Sequence, residues 1–126
     1  MFKSILLVGA GGFVGSVLRF LVTKQIQMQV ASTFPWGTFA VNVVGSFIIG
    51  IVYAISEKTG LLTPDARLFL AVGLCGGFTT FSSLSNDAFL LLQGKEILMF
   101  TAYMAFSFVS GLLAVFAGRL VVNQLV

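Results

Sequence analysis

The sequence predicts an all-α integral membrane protein with four transmembrane helices. Of its 126 residues, 58% are hydrophobic and only 9% are charged, whereas a soluble domain carries about 25% charged residues. Four apolar segments are long enough to cross a bilayer, which requires about 20 helical residues. They lie near residues 5–22, 36–55, 68–92 and 97–122, and no long polar stretch separates them. We therefore expect one four-span membrane domain over residues 1–126.

The polar connections between the spans carry signals for helix starts. The first connection ends in Phe34-Pro35-Trp36, where proline begins a helix and tryptophan suits the membrane interface. The second contains Thr63-Pro64-Asp65. That triplet is typical of an N-cap, a proline in the first helical position and an acid that favours the positive end of a helix. These signals mark where the second and third spans begin.

The third span carries the most informative run of residues. Its middle reads Gly76-Gly77-Phe78-Thr79-Thr80-Phe81-Ser82-Ser83. Glycine costs a helix about 1 kcal/mol relative to alanine, and hydroxyls compete for backbone partners. In lipid, freed backbone groups persist only where protein or a water-filled cavity satisfies them. We therefore expect the third helix to be broken at mid-membrane, where its carbonyls and helix ends form a candidate ion site.

Small residues recur at four-residue spacing on the spans. The pairs are Gly11 and Gly15, Ser46 and Gly50, Gly73 and Gly77, and Ser107 and Gly111. This spacing lets two helices approach closely in a membrane. Tight helix packing is the expected role of most of these glycines.

The basic residues are almost evenly divided between the two sides of the membrane. Four crossings place both termini on one side, together with Lys3, Lys58, Arg67 and Arg119, and leave Arg19, Lys24 and Lys95 on the other. Orientation follows the excess of lysine and arginine, so four against three lets the chain insert both ways up. Dual insertion allows an antiparallel, dual-topology homodimer. The alternative is one fixed orientation set by other cues.

The sequence argues against catalysis, nucleotide binding and nucleic-acid binding. It contains no histidine, and its four acids lie in loops or near span ends: Glu57, Asp65, Asp87 and Glu96. A glycine-rich run near residue 9 lacks the later acid and the βαβ context of a dinucleotide site. A net charge of +3, spread singly along the chain, is too small to indicate nucleic acid. A proton-coupled carrier normally keeps an ionisable group within the bilayer, so passive movement along an uncharged polar path is favoured.

Polar side chains at helical spacing predict that path. Thr38, Asn42 and Ser46 share one face of the second span, and Tyr103, Ser107 and Ser110 share one face of the fourth. In the third span, Phe81 and Leu84 lie three apart beside Ser82 and Ser83. Hydroxyls and an amide can hydrogen-bond an anion without trapping it, and ring edges are electropositive. Hydrogen bonding within and between helices is the alternative role of such residues.

Together these residues resemble a known family, the small bacterial fluoride channels called Fluc or CrcB. The resemblance covers nearly the whole chain. It includes the segments 11–19 in the first span and 37–42 in the second. The most specific segment is 73–83, in which a glycine pair precedes Thr80-Phe81-Ser82.

The resemblance implies an antiparallel homodimer with two parallel fluoride pores in the bacterial cytoplasmic (inner) membrane. It implies a structural sodium ion at the dimer interface, held by the backbone carbonyls of Gly76 and Thr79, and no organic cofactor. Asn42 would be a pore-lining donor, Phe81 a ring that contacts fluoride, and Arg19 a residue of the pore mouth. The remaining pore positions would be Thr38, Ser82, Ser83, Leu84, Tyr103, Ser107 and Ser110. The implied function is passive export of cytoplasmic fluoride, with no enzymatic activity.

One position departs from the family pattern. The family typically places two phenylalanines three apart, and here Leu84 stands at the second ring position. Leucine keeps the apolar bulk but lacks a polarised ring edge, so we expect altered or reduced fluoride conduction with the fold intact.

Two other classes of protein are compatible with the length and charge pattern. A small dual-topology exporter should hold a carboxylate in its first span, where this chain has none, and a non-conducting membrane assembly subunit would use its polar stripes only for packing.

Overall fold

The computed structural model describes residues 1–125 and has four membrane-spanning units. Each is long and apolar enough to cross a bilayer, and their bounds are Phe2–Gln29, Trp36–Thr59, Pro64–Gln93 and Ile97–Leu125. The prediction of four helices long and apolar enough to cross a membrane is confirmed. The first unit extends beyond residue 22, where the apolar run ends, because Lys24, Gln25 and Gln27 are good helix formers that continue the helix past the apolar segment.

The units divide into six α-helices and one π-helical segment. The first two units are the single helices α1 (Phe2–Gln29) and α2 (Trp36–Thr59). The third consists of α3 (Pro64–Arg67), the π-helical segment Leu68–Cys75, α4 (Gly76–Phe78) and α5 (Phe81–Gln93). The fourth is α6 (Ile97–Leu125). Few large side chains are fully buried within one chain, and the largest of them are Tyr103 and Val41. The relative placement of the helices therefore depends mainly on helix–helix contacts.

The helix starts follow local sequence signals. The Thr63 side chain accepts a hydrogen bond from the Ala66 amide at 3.0 Å, Pro64 is the first helical residue and Asp65 lies in the first turn of α3. This agrees with the cap predicted from the sequence. At α2 the proline lies one position earlier than expected, because Pro35 is the N-cap and Trp36 the first helical residue.

The third unit leaves helical geometry for two residues. Thr79 has φ −90° and ψ 158°, and Thr80 has φ −153° and ψ 117°, so both are extended. The chain then re-enters a helix at Phe81, with Thr80 as the N-cap of α5. This interruption directly follows the paired glycines of α4.

Glycines allow α1 to pack against the third unit at backbone distance. A Cβ atom on Gly11 would lie 2.9 Å from the Cα of Gly73, and a Cβ on Gly77 would lie 2.7 Å from the Gly12 carbonyl oxygen. The contact between α2 and α6 follows the same rule, because a Cβ on Gly50 or on Gly118 would collide with the backbone of the opposite helix. Close helix approach is therefore the role of these glycines.

Ion pairs join the helix ends at the side where the N-terminus lies. Lys3 contacts Asp65 at 2.8 Å, and Arg119 forms a two-bonded pair with Glu57 at 3.1 Å for each bond. The starts of α1 and α3 therefore lie at the same end as the ends of α2 and α6. Away from these ends the surface is apolar, and rings such as that of Phe13 are 71% exposed. Such a surface suits contact with lipid or with another copy of the chain.

Candidate functional site

The side-chain amide of Asn42 holds the backbone of Thr80. The Thr80 N–H donates to Asn42 Oδ1 at 2.7 Å, and Asn42 Nδ2 donates to the Thr80 carbonyl at 3.2 Å. The amide thus pairs with both polar groups of one extended residue, as a neighbouring strand would. This two-bonded contact fixes the interruption of the third unit to α2.

The side chains of Thr79 and Thr80 satisfy the helix ends on the two sides of the interruption. Thr79 donates to the Cys75 carbonyl both from its backbone N–H, at 3.0 Å, and from Oγ1, at 2.9 Å. Thr80 Oγ1 accepts from the Ser83 N–H at 3.0 Å and lies 3.2 Å from Ser82 Oγ. The hydroxyl run therefore satisfies backbone groups at the end of α4 and at the start of α5.

Arg19 reaches the interruption from α1. Its Nε donates to the Gly77 carbonyl at 2.9 Å, and the contact is half-buried. A cationic side chain that binds a carbonyl at the end of α4 satisfies one of the last acceptors of that half-helix. Arg19 therefore lies beside the interruption. It also lines the first of the two clefts described next, and a pore-mouth role would require that cleft to be part of the pore.

Two clefts meet at Thr80. The first is lined by Ser16, Arg19, Phe20, Thr23, Lys24, Gln27, Thr38, Thr80 and Ser83. It contains two cationic side chains and no acid, so its electrostatic potential favours an anion. The second is lined by Asn42, Gly45, Ser46, Ile49, Thr79, Thr80 and Phe81. The structure thus brings Arg19, Thr38 and Ser83 together on one side of Thr80, and Asn42 and Phe81 on the other.

None of the predicted residues of the fourth span lines either of these two clefts. Tyr103 is fully buried, its hydroxyl donates to Asp87 Oδ2 at 3.1 Å, and its ring meets that of Phe34 edge-on at 5.3 Å. The hydroxyl oxygen of Ser107 is buried and has no hydrogen-bond partner among the described residues. Ser110 is half-buried. None of these three residues lines either cleft within one chain.

The remaining predicted residues lie in α4 and at the start of α5. Phe81 is 78% exposed, so its ring points away from the rest of its own chain. Ser82 is exposed, whereas Leu84 is half-buried. Gly76, predicted as a carbonyl ligand, is exposed one turn earlier. The exposed ring and the exposed glycine flank the interruption.

Sequence reasoning missed the roles of Thr80 and Asp87. Thr80 was part of the hydroxyl run but was not singled out, although a threonine directly before a helical segment is a recognised N-cap signal. Asp87 was expected near a span end, and the sequence named no partner for it. Its contact with Tyr103 joins α5 to α6, and no spacing within one helix indicates which helix lies opposite.

Comparison with known proteins identifies relatives over nearly the whole chain. The family model described as CrcB-like protein, Camphor Resistance (CrcB), matches residues 6–119. A fluoride-specific ion channel FluC of Bacteroides fragilis is 48% identical over 119 residues, which cover 92% of this chain and 93% of the relative. The FluC protein of Chlorobaculum tepidum is 47% identical over 118 residues, covering 94% and 93%. That of Flavobacterium psychrophilum is 41% identical over 123 residues, covering 98% and 99%. The chain therefore belongs to the CrcB family.

Proposed function

We propose that this protein is a passive channel that exports fluoride from the bacterial cytoplasm across the inner membrane. The observation that carries the proposal is the interruption at Thr79 and Thr80, which has uncharged donors on both sides and a cationic cleft on one. The relatives named as fluoride-specific ion channels support the choice of ion. Export requires no energy input, because the membrane potential drives an anion outward.

The path must replace the water that fluoride holds tightly. The amide of Asn42 has two N–H donors, one of which is used by the Thr80 carbonyl. The other N–H can face an ion in the second cleft, whereas the hydroxyls of Thr38 and Ser83 can face an ion in the first. The Ser82 hydroxyl, exposed at the start of α5, is a further donor between the two. The ring of Phe81 adds an electropositive edge. Several weak hydrogen-bond donors, placed one after another along the path, allow an ion to enter and to leave, as conduction requires.

A second copy of the chain completes the path in this proposal. Phe81 is 78% exposed in one chain, and the fourth-span residues Tyr103, Ser107 and Ser110 line neither cleft of that chain. An antiparallel homodimer with two parallel pores would bring these polar residues towards an exposed ring. The near balance of basic residues between the two sides is consistent with dual insertion. Thr79 and Thr80 lie roughly midway along the 30-residue unit Pro64–Gln93, which supports an interruption at mid-membrane.

A structural sodium ion would be held at the dimer interface by the carbonyls of Gly76 and Thr79. The described residues contain no group of three or more His, Cys, Asp or Glu side chains that could hold a metal, so a cation would depend on backbone oxygens. Carbonyl oxygens suit a hard cation. Gly76 is exposed on the chain, which is compatible with an ion shared with a second copy. When bound, the ion supplies a fixed charge that joins the two chains.

Fluoride efflux from liposomes tests the proposal. Vesicles that contain the purified protein and potassium fluoride are diluted into fluoride-free buffer, and a fluoride electrode records release after valinomycin is added. We expect release that depends on valinomycin, because a passive channel is electrogenic and needs a counterion path. Parallel vesicles loaded with chloride should retain it.

Two other results would replace the proposal by one of the alternatives. Release that requires a proton gradient and proceeds without valinomycin would indicate a coupled exporter, although α1 holds no carboxylate. Absence of release from well-folded dimers would indicate a non-conducting assembly subunit.

A further inference from the structure

Two backbone donors at the interruption are diverted from their helical acceptors. In a continuous α-helix the N–H of each residue donates to the carbonyl four residues earlier. The Thr80 N–H would then donate to the Gly76 carbonyl, and the Ser83 N–H would donate to the Thr79 carbonyl. Instead, the Thr80 N–H donates to Asn42 Oδ1 at 2.7 Å, and the Ser83 N–H donates to Thr80 Oγ1 at 3.0 Å.

The two diverted bonds concern the same two carbonyls that the proposed sodium site requires. Gly76 and Thr79 each lose the backbone donor that a continuous helix would supply. A carbonyl that already accepts an N–H is a poorer ligand, because part of its lone-pair density is engaged. The neighbouring carbonyls keep donors, since Cys75 accepts from the N–H and hydroxyl of Thr79 and Gly77 accepts from Arg19.

We propose that Asn42 and the Thr80 hydroxyl are positioning residues for the cation site, which they create by drawing two N–H donors away from the carbonyls of Gly76 and Thr79. This inference rests on the proposed channel and its sodium ion. It gives Asn42 two roles, because its amide oxygen holds the cation site open while one amide N–H remains for the pore. The pore and the cation site are then connected through the Asn42 side chain and the backbone of Thr80.

The inference predicts how substitutions change the sodium requirement. In Asn42→Leu the Thr80 N–H has no side-chain acceptor, so it can return to the Gly76 carbonyl and extend α4. In Thr80→Val the Ser83 N–H loses its cap and can turn to the Thr79 carbonyl. Residues that orient metal ligands typically alter metal affinity by about 10–100-fold. We expect the sodium concentration for half-maximal stabilisation to rise at least about tenfold in each variant.

Thermal unfolding of the detergent-solubilised protein measures this concentration without reference to flux. Sodium chloride is titrated at constant ionic strength against choline chloride, and the shift in Tm follows ligand occupancy. Thr80→Ser retains the hydroxyl and should behave as the wild type, whereas Thr80→Val should not. Thr101→Ala removes a hydroxyl that donates to the Ile97 carbonyl of its own helix and lines neither cleft, and it should leave the sodium requirement unchanged. If Asn42→Leu fails to fold, the comparison of Thr80→Val with Thr80→Ser alone tests the inference.

Two results would overturn the inference. One is an unchanged sodium requirement in both Asn42→Leu and Thr80→Val. The other is a wild-type protein that sodium does not stabilise more than choline. Valinomycin-dependent fluoride release from the same wild-type preparation distinguishes failure of this inference from failure of the proposed channel function. If that release persists while sodium has no effect, the positioning role fails and the fluoride channel stands.

Discussion

Asn42 and Leu84 illustrate how far individual residues could be predicted. The four-residue spacing on α2 singled out Asn42, and the structure shows that its amide oxygen and one amide N–H are both bonded to the backbone of Thr80. The contact of Arg19 with Gly77 and that of Tyr103 with Asp87 were not predictable. Both depend on how two helices are rotated relative to each other, and a single sequence does not encode that rotation in its spacing.

Restoring a ring at position 84 tests the departure from the family pattern. We predict that Leu84→Phe conducts fluoride severalfold faster than the wild type, because a second electropositive ring edge lies three residues after Phe81. Leu92→Phe, at a 45% exposed position of the same helix outside both clefts, should leave the rate unchanged. The initial rate of fluoride release from matched liposomes provides the measurement. Equal rates in all three proteins would show that the second ring is dispensable.

The helices themselves follow from the sequence more closely than their internal geometry does. The spans were predictable because the bilayer demands about 20 apolar helical residues, and the Thr63 cap was predictable because it is local. The π-helical segment Leu68–Cys75 carried no signal, since its composition also suits an ordinary α-helix. The interruption was indicated by glycines and hydroxyls, but its bounds depend on Asn42, which lies 38 residues earlier.

A single methyl group tests the packing of α1 against the third unit. A Cβ atom on Gly15 would collide with the Leu74 carbonyl and lie 2.9 Å from the Phe78 N atom. We predict that Gly15→Ala lowers the free energy of unfolding by about 1–3 kcal/mol, the usual cost of overpacking. Gly9 has no atom within 4 Å of such a Cβ, so Gly9→Ala should be neutral or stabilising by up to about 1 kcal/mol. Thermal unfolding in detergent compares the two, and an equal response would contradict the close contact.

The arrangement of the whole molecule was predictable only in outline. Hydropathy predicted one four-span unit, and the helix ends meet as four antiparallel crossings require. In the proposed homodimer, the association of two copies would depend on surfaces that one chain leaves exposed, including the ring of Phe81. Lipid-facing and partner-facing apolar residues have the same composition, because hydrocarbon and leucine are similarly apolar. The proposed dimer therefore rests on the incomplete clefts and the balanced charge of the single chain.

Labelling from outside the cell tests dual insertion. Two single-cysteine variants, Ala31→Cys and Leu61→Cys, are made in a Cys75→Ala background, which leaves every charge in place. Both positions are exposed and lie in connections at opposite ends of the molecule. We predict that a membrane-impermeant maleimide labels about half of each variant in intact spheroplasts and the rest after lysis. Full labelling of one variant and none of the other would establish a single orientation.

The reversal potential of fluoride current tests the central claim most directly. The protein is reconstituted into a planar bilayer with unequal fluoride concentrations, equal sodium concentrations and a fixed pH on both sides. We predict a current that reverses at the fluoride equilibrium potential and that follows it when the fluoride gradient is changed, since a passive selective pore has no other driving force. Reversal at the potential of another ion, or absence of current from folded dimers, would contradict the account.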